Sequence, residues 1–272
     1  MVTPDFEACS LFFLAHPDDE LGILPRLVEE VHSGIRPICL FLTSGAIDTA
    51  TTGGALVRVR KDESRKVLLS HGCRHEDIHF PGADIFIDDG SLFLHLAAAN
   101  QASTDILARI PRECIRNIYC PAWEGGHHDH DATHLIALAQ AIRVGALTRT
   151  WQFPLYNGRA LPGMLFRPQS PIAENGDVVR FGVPRFRAMA YWLLARHYRS
   201  QWRTWMGLLL PALVKTAWSP GIALQPVSVG RVTQRPHPGA LYYERRYGVS
   251  YEHFSAMAGP FIQARIHGMN QS

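Results

Sequence analysis

Much that would commit a sequence early is missing from this one. Its five cysteines, Cys9, Cys39, Cys73, Cys114 and Cys120, are odd in number and contain no C-x-x-C pair. This argues against a disulfide framework and a cysteine zinc site, and it fits a reducing, cytoplasmic setting. Charged residues make up 19% of the chain, below the ~25% of an average protein, which excludes a disordered polyelectrolyte. The net charge is +3, with no long basic run or nucleic-acid module, so no nucleic-acid partner is expected. No apolar run reaches the roughly 20 residues that span a bilayer. The nearest, Thr204 to Val214, is short and contains Pro211, so the chain is read as non-transmembrane. The start, Met1 to Glu7, is acidic and meets an apolar stretch of about six residues, which is not the pattern of a secretory leader. Repeats and low-complexity tracts are also absent.

What is present is 272 residues, 47% of them apolar, enough for one large domain or two small ones. Ser10 to Ala15 and Pro37 to Thr43 are continuous apolar runs, the pattern of strands buried on both faces. Between them Leu21, Leu24, Leu27, Val28 and Val31 recur at helical spacing; the regular part begins at Pro25 and Gly34 stops it. A second helix over Ala55 to His71, strands at Asp77 to Phe80 and Ile115 to Cys120, a helix over Asp131 to Val144 and a strand at Trp151 to Tyr156 follow. Such alternation predicts an α/β, Rossmann-like fold: a mostly parallel sheet with helices on both faces. From Asn157 onward the alternation stops, and a tryptophan- and arginine-rich helical stretch runs from about Arg185 to Trp218. The expected organisation is a Rossmann-like core over residues 1–156, with residues 157–272 as a C-terminal helical and irregular elaboration of the same domain.

Two constellations stand out among fourteen histidines. His16-Pro-Asp-Asp-Glu20 follows the first buried strand directly. A helix start, with Asp18 or Asp19 as N-cap, explains one or two acids but neither the histidine nor the stiffening proline. Two adjacent carboxylates with separate tasks suit metal-assisted hydrolysis, one on the metal and one on the water. The second constellation, Gly125 to His134, places four histidines within eight residues. A solvated loop accounts for one histidine better than for four. Spacing alone leaves the ligand open, because His130 and His134 are i, i+4 and His127 and His130 are i, i+3. Both segments fall at carboxyl ends of predicted parallel strands, so they are expected to be neighbours in space. One histidine and one aspartate from the first, with one histidine from the second, leave a coordination position for water, as in catalytic zinc sites.

H-P-D-D-E after the first strand together with G-H-x-D-H on a later loop resembles the PIG-L/LmbE-like zinc-dependent N-deacetylases. Arg60-Lys-Asp-Glu63 is similar to the family's R-x-x-E, and Tyr198-Arg-Ser-Gln201 to its aromatic/His-x-S-Q turn. The resemblance covers the chain best up to about Tyr156. It implies removal of the acetyl group from an N-acetylglucosamine-type sugar in a glycoconjugate, glycolipid or polysaccharide precursor. It makes His16, Asp19 and His130 the ligands of one Zn²⁺, Asp18 the general base, His127 the residue that polarises or protonates as an imidazolium, and Asp129 the carboxylate orienting it. Two departures are visible: His128 stands where the family often has proline, and Gly125 where mycothiol-pathway members have a tyrosine.

Around these residues alternatives stay open. Glu20 is either a partner fixing a ligand or an acid at a helix start, and Glu124 reads as a surface residue. His134 reads as a packing residue. Arg60 and Asp88 are the candidate sugar-binding residues, set against an intrahelical Arg60–Glu63 pair and a turn role for Asp88 before Gly90. The tryptophans between residues 185 and 218 read as core, with an interfacial helix approaching a membrane-borne glycolipid as the other reading. Two rival classes remain: a metal-dependent glycan-binding module without catalysis, and a non-haem Fe(II) oxygenase, whose two-histidine, one-carboxylate triad usually sits on a double-sheet barrel.

Overall fold

In a computed structural model the chain is described over residues 7–50 and 54–268. Residues 1–6, on which the leader reading falls, and residues 51–53 lie outside the described residues. The elements are β1 (Cys9–Leu14), α1 (Leu24–His32), β2 (Arg36–Phe41), α2 (Gly54–Ser70), β3 (Ile78–His79), α3 (Pro81–Asp84), α4 (Leu96–Leu107), β4 (Ile115–Pro121) and α5 (His128–Val144). They continue with β5 (Thr150–Phe153), β6 (Tyr156–Asn157), β7 (Arg167–Pro168), β8 (Val179–Phe181), α6 (Arg185–Trp192), α7 (Trp202–Trp218), β9 (Ile222–Pro226), α8 (Tyr242–Tyr247) and α9 (Tyr251–Ile262).

A seven-stranded sheet runs in the order β3-β2-β1-β4-β5-β9-β8. The first five strands are parallel, and β9 and β8 continue the sheet antiparallel. All six residues of β1 are buried, which is why this strand reads as an unbroken apolar run rather than an alternating one. The chain leaves β1 for β2 on one side and later returns to place β4 on the other. The order therefore reverses between β1 and β4, and the crevice at their carboxyl ends is where such sheets bind ligands.

Three boundaries differ from the periodicity. α5 starts at His128, three residues before Asp131, because the His127 side chain caps it by accepting the Asp129 N–H at 3.1 Å. The strand expected over Trp151 to Tyr156 ends at Phe153, since Pro154 has no N–H to continue the ladder; Tyr156–Asn157 pairs instead with β7. The stretch from Arg185 to Trp218 is two helices, separated by 3-10 turns at Leu193–His197 and Arg199–Gln201.

The residues after Asn157 also complete the core. Phe254, Ala258, Phe261 and Ile262 of α9 share one buried cluster with Leu135 and Ile136 of α5 and Leu11 and Phe13 of β1. Among the described residues no helix is long and apolar enough to cross a membrane.

Candidate metal centre

After β1 the chain turns sharply at His16-Pro17, and the turn is bound from several directions. The Asp19 carboxylate folds back over the strand end, where its Oδ2 accepts the N–H groups of Ala15 at 2.9 Å and His16 at 2.8 Å. Asp18 is held at φ 136°, a region that L side chains rarely adopt. Its N–H donates to Glu20 Oε2 at 2.8 Å, and Glu20 Oε1 accepts the Tyr198 hydroxyl at 2.6 Å. Gln201 Nε2 donates to the Pro17 carbonyl. Glu20 is fully buried, and burial pushes its carboxyl up to about 7. Glu20 lies in the first turn of a short 3-10 helix, Asp19–Gly22, as the helix-start reading has it, and its carboxylate also holds the backbone of Asp18.

The second wall is the start of α5. Gly126 is required by close approach, since a Cβ there would lie 1.9 Å from the Tyr156 carbonyl oxygen. Gly125 adopts φ +68°, and Asp131 Oδ1 receives the N–H groups of Glu124 and Gly125, both at 3.2 Å. Helix geometry then sets His127 and His130 one turn apart, facing the turn after β1. Their ring centroids lie 4.8 and 5.3 Å from that of His16.

His16, Asp19 and His130 are buried, with potential ligand atoms all within 4.8 Å of one another. His130 Nε2 stands 3.2 Å from Asp19 Oδ1, and His16 Nδ1 3.6 Å from Asp19 Oδ2. Donors sharing one tetrahedral ion at ~2.0–2.2 Å stand roughly 3.3–3.6 Å apart; the two histidines approach different oxygens of Asp19 at about that spacing, so the donor types and their proximity suit a zinc ion. Despite the desolvation that opposes it, the carboxylates of Asp89, Asp129 and Asp19 hold the His16 imidazole well above its usual range. Burial, then the neighbouring Asp19, pushes the Asp18 carboxyl well above the ordinary carboxylate range.

The structure redistributes two other expected roles. Asp129 was expected to orient His127, yet its carboxylate serves His16: Oδ2 lies 3.1 Å from His16 Nε2 and 3.9 Å from His127 Nδ1. The same carboxylate accepts the N–H groups of Gly90 at 2.6 Å and Leu92 at 3.0 Å, which fix its orientation. A protonated His127 was also expected. Its Nδ1 accepts the Asp129 backbone N–H, however, so the ring is neutral in this arrangement and its proton sits on Nε2. Burial, with His16 nearby, also pushes its pKa well below the usual value.

The cleft over this cluster has a volume of about 120 Å³, and Asp18, Arg60, Asp89, Tyr156, Gln201 and Tyr247 are among its lining residues. Arg60 is therefore brought to the cleft, with Nη1 3.9 Å from Asp89 Oδ2. Glu63 bonds Ser200 instead, through its N–H at 2.9 Å and its hydroxyl at 2.5 Å, tying α2 to the turn before α7. Asp88 is not brought there: its carboxylate accepts the N–H groups of Asp48 at 3.1 Å and Thr49 at 2.8 Å, a loop-fixing role. Its neighbour Asp89 faces the cleft, 3.1 Å from His16 Nε2 and 3.7 Å from His127 Nε2. The surface reading of Glu124 is corrected too: it is 1% exposed and bonds the N–H groups of Leu155 and Tyr156 and the side chain of Asn157. His128 bonds the Gly90 carbonyl at 2.8 Å, and His134 is buried against the Pro121 carbonyl at 3.0 Å, away from the cluster.

Sequence reasoning missed Asp89, Tyr156 and Tyr247. The Asp-Asp-Gly run flagged the first without saying which carboxylate points inward. The tyrosines carry no local signal, and Tyr247, whose ring lies 4.5 Å from that of His127, arrives from α8.

The PIG-L family model, described as GlcNAc-PI de-N-acetylase, matches residues 11–141. Among solved structures, a deacetylase from the teicoplanin biosynthesis pathway is 16% identical, aligns over 81% of this chain and 98% of its own, and has a TM-score of 0.59. The N,N'-diacetylchitobiose deacetylase of Pyrococcus horikoshii is 16% identical over 81% and 84% of the two chains, with a TM-score of 0.50. A 4-carboxy-2-hydroxymuconate hydratase of Pseudomonas putida KT2440 is 12% identical over 81% and 96%, also at 0.50, so the fold is shared by different chemistries. A search of curated proteins by sequence gave no significant match. The residues matched by the family model run from β1 into α5 and contain both motifs of the cluster; over them the chain is similar to the PIG-L family.

Proposed function

We propose that the chain is a zinc-dependent de-N-acetylase acting on an N-acetylglucosamine-type sugar. The observation that carries this reading is the pairing at one turn: Asp19 faces His16 and His130, while adjacent Asp18, in a strained conformation, lines the open cleft beside them. One carboxylate is thereby available to a metal and its neighbour to a water molecule. His16, Asp19 and His130 hold the zinc, which when bound supplies a Lewis acid that lowers the pKa of water towards ~7.

The remaining steps belong to side chains. Burial makes Asp18 a stronger base once it is ionised, and in that form it accepts a proton from the attacking water and returns it to the departing nitrogen; without that return, collapse expels water instead. His127 Nε2–H donates to the amide carbonyl oxygen as negative charge develops there. A neutral donor suffices for this task, and the helix cap keeps the ring in that tautomer. Arg60 supplies a charged donor for sugar hydroxyls at the cleft wall.

Acetate release across N-acetylglucosamine, its glycosides, chitin fragments, glycolipid precursors and nucleotide sugars tests the proposal. Zinc-loaded protein releases acetate from at least one of them; chelation abolishes release, and zinc without oxygen restores it. Failure with every N-acetylhexosamine compound supports a glycan-binding module instead.

A further inference from the structure

The pair α6–α7 carries a surface that the cleft does not use. α7 turns Trp205, Ala212 and Thr216 inward. Yet Trp202, Met206, Leu210, Val214 and Trp218, each four residues after the last, form an outer ridge exposed by 53, 68, 68, 51 and 85%. Leu193, 53% exposed, lines a broad groove together with Trp202, Met206 and Leu210. A helix apolar on both sides is ordinarily covered, and a contiguous exposed patch of this kind marks an interaction surface.

Charge identifies what covers it. Between Asp177 and Glu244 the chain has nine of its 27 Lys and Arg and none of its 24 Asp and Glu. Six of the nine, Arg185, Arg187, Arg196, Arg199, Arg203 and Lys215, lie on or between these two helices. Arg196 and Arg199 line the groove itself, and the Arg203 guanidinium lies 5.5 Å from the centre of the Trp202 ring. A second copy related by a twofold axis would bring like charges together across the contact. We propose that this face docks on an anionic lipid bilayer, with the ridge in the acyl boundary and the arginines at phosphate level. Thr204 and Leu208, on the opposite side of α7 from the ridge, line the metal cleft, so the docking helix is also a wall of the cleft. The proposal does not depend on the chemistry assigned to the cleft.

Sedimentation of the full chain with vesicles of phosphatidylcholine and phosphatidylglycerol, against phosphatidylcholine alone, tests it. Preferential binding to the anionic vesicles that weakens with salt is expected, with tryptophan fluorescence quenched by brominated acyl chains. At about fivefold per cation, replacing Arg185, Arg187 and Arg203 together by Gln lowers partitioning about a hundredfold. The double variant M206E/L210E abolishes it. No sedimentation with anionic vesicles at low salt, binding without quenching, or undiminished binding by either variant overturns the proposal. So does a wild-type dimer that M206E/L210E converts to monomer. Quenching is read on the unaltered chain, so a variant that fails to fold does not remove the test.

Discussion

At the residue scale, the distances around His16 change which carboxylate does what. Asp129 bonds the ring nitrogen of His16 opposite the one nearest Asp19, the arrangement by which carboxylates orient metal-binding histidines. Asp129→Asn removes the charge behind His16 and keeps one oxygen, an acceptor for only one of the Gly90 and Leu92 N–H groups, which bond different oxygens of the carboxylate. Zinc affinity is expected to fall about 10–100-fold by chelator competition; an unchanged affinity would return Asp129 to the His127 role. His134 gives a separate test. Burial, ahead of its other interactions, pushes this imidazole down to about 4, whereas an unfolded histidine titrates near 6.5. Between those values the unfolded chain binds a proton that the folded chain does not. His134 therefore adds stability above pH ~6.5 that is lost as pH falls towards ~4, by up to about 3 kcal/mol. Urea unfolding across that window should show a shallower acid loss in His134→Gln than in the parent chain, and parallel slopes would exclude it.

At the scale of elements, the site depends on how tightly two turns are fixed. Between β4 and α5, Gly126 admits the Tyr156 carbonyl where any side chain would collide with backbone. Gly126→Ala is expected to cost about 1–3 kcal/mol, and to lower zinc occupancy because β6 and the helix start must separate. Thermal denaturation with metal analysis checks both; a variant as stable and as metal-rich as the parent would show that the approach is not needed. The same turns show what can be read from sequence. β1 and β2 were legible because strands buried on both faces need continuous apolar runs, and the motifs because they follow closely on strand ends. Glu124, Asp89 and Tyr247 were not, since their positions depend on partners far away in sequence. The Tyr198–Gln201 turn resembled a family motif, but its role in holding Pro17 and Glu20 emerges only when the turn before α7 meets the turn after β1.

At the scale of the molecule, the family match stops at residue 141 while the sheet and the core go on. β9 and β8 extend the sheet beyond β5, and α9 fills the core beside α5. A chain ending at residue 156 is thus expected to lack a cooperative thermal transition, although it holds both motifs. A sharp transition in that fragment would show that the C-terminal part is dispensable for folding. The chain brings two neighbouring aspartates to the cleft, and the proposed division of work between them is the core of the account. Zinc content and acetate release measured on the same preparation of Asp18→Asn test it most directly, because Asn preserves shape but accepts no proton from water. Full zinc with turnover reduced about 10²–10⁴-fold is expected; full activity, or loss of the metal, would contradict it.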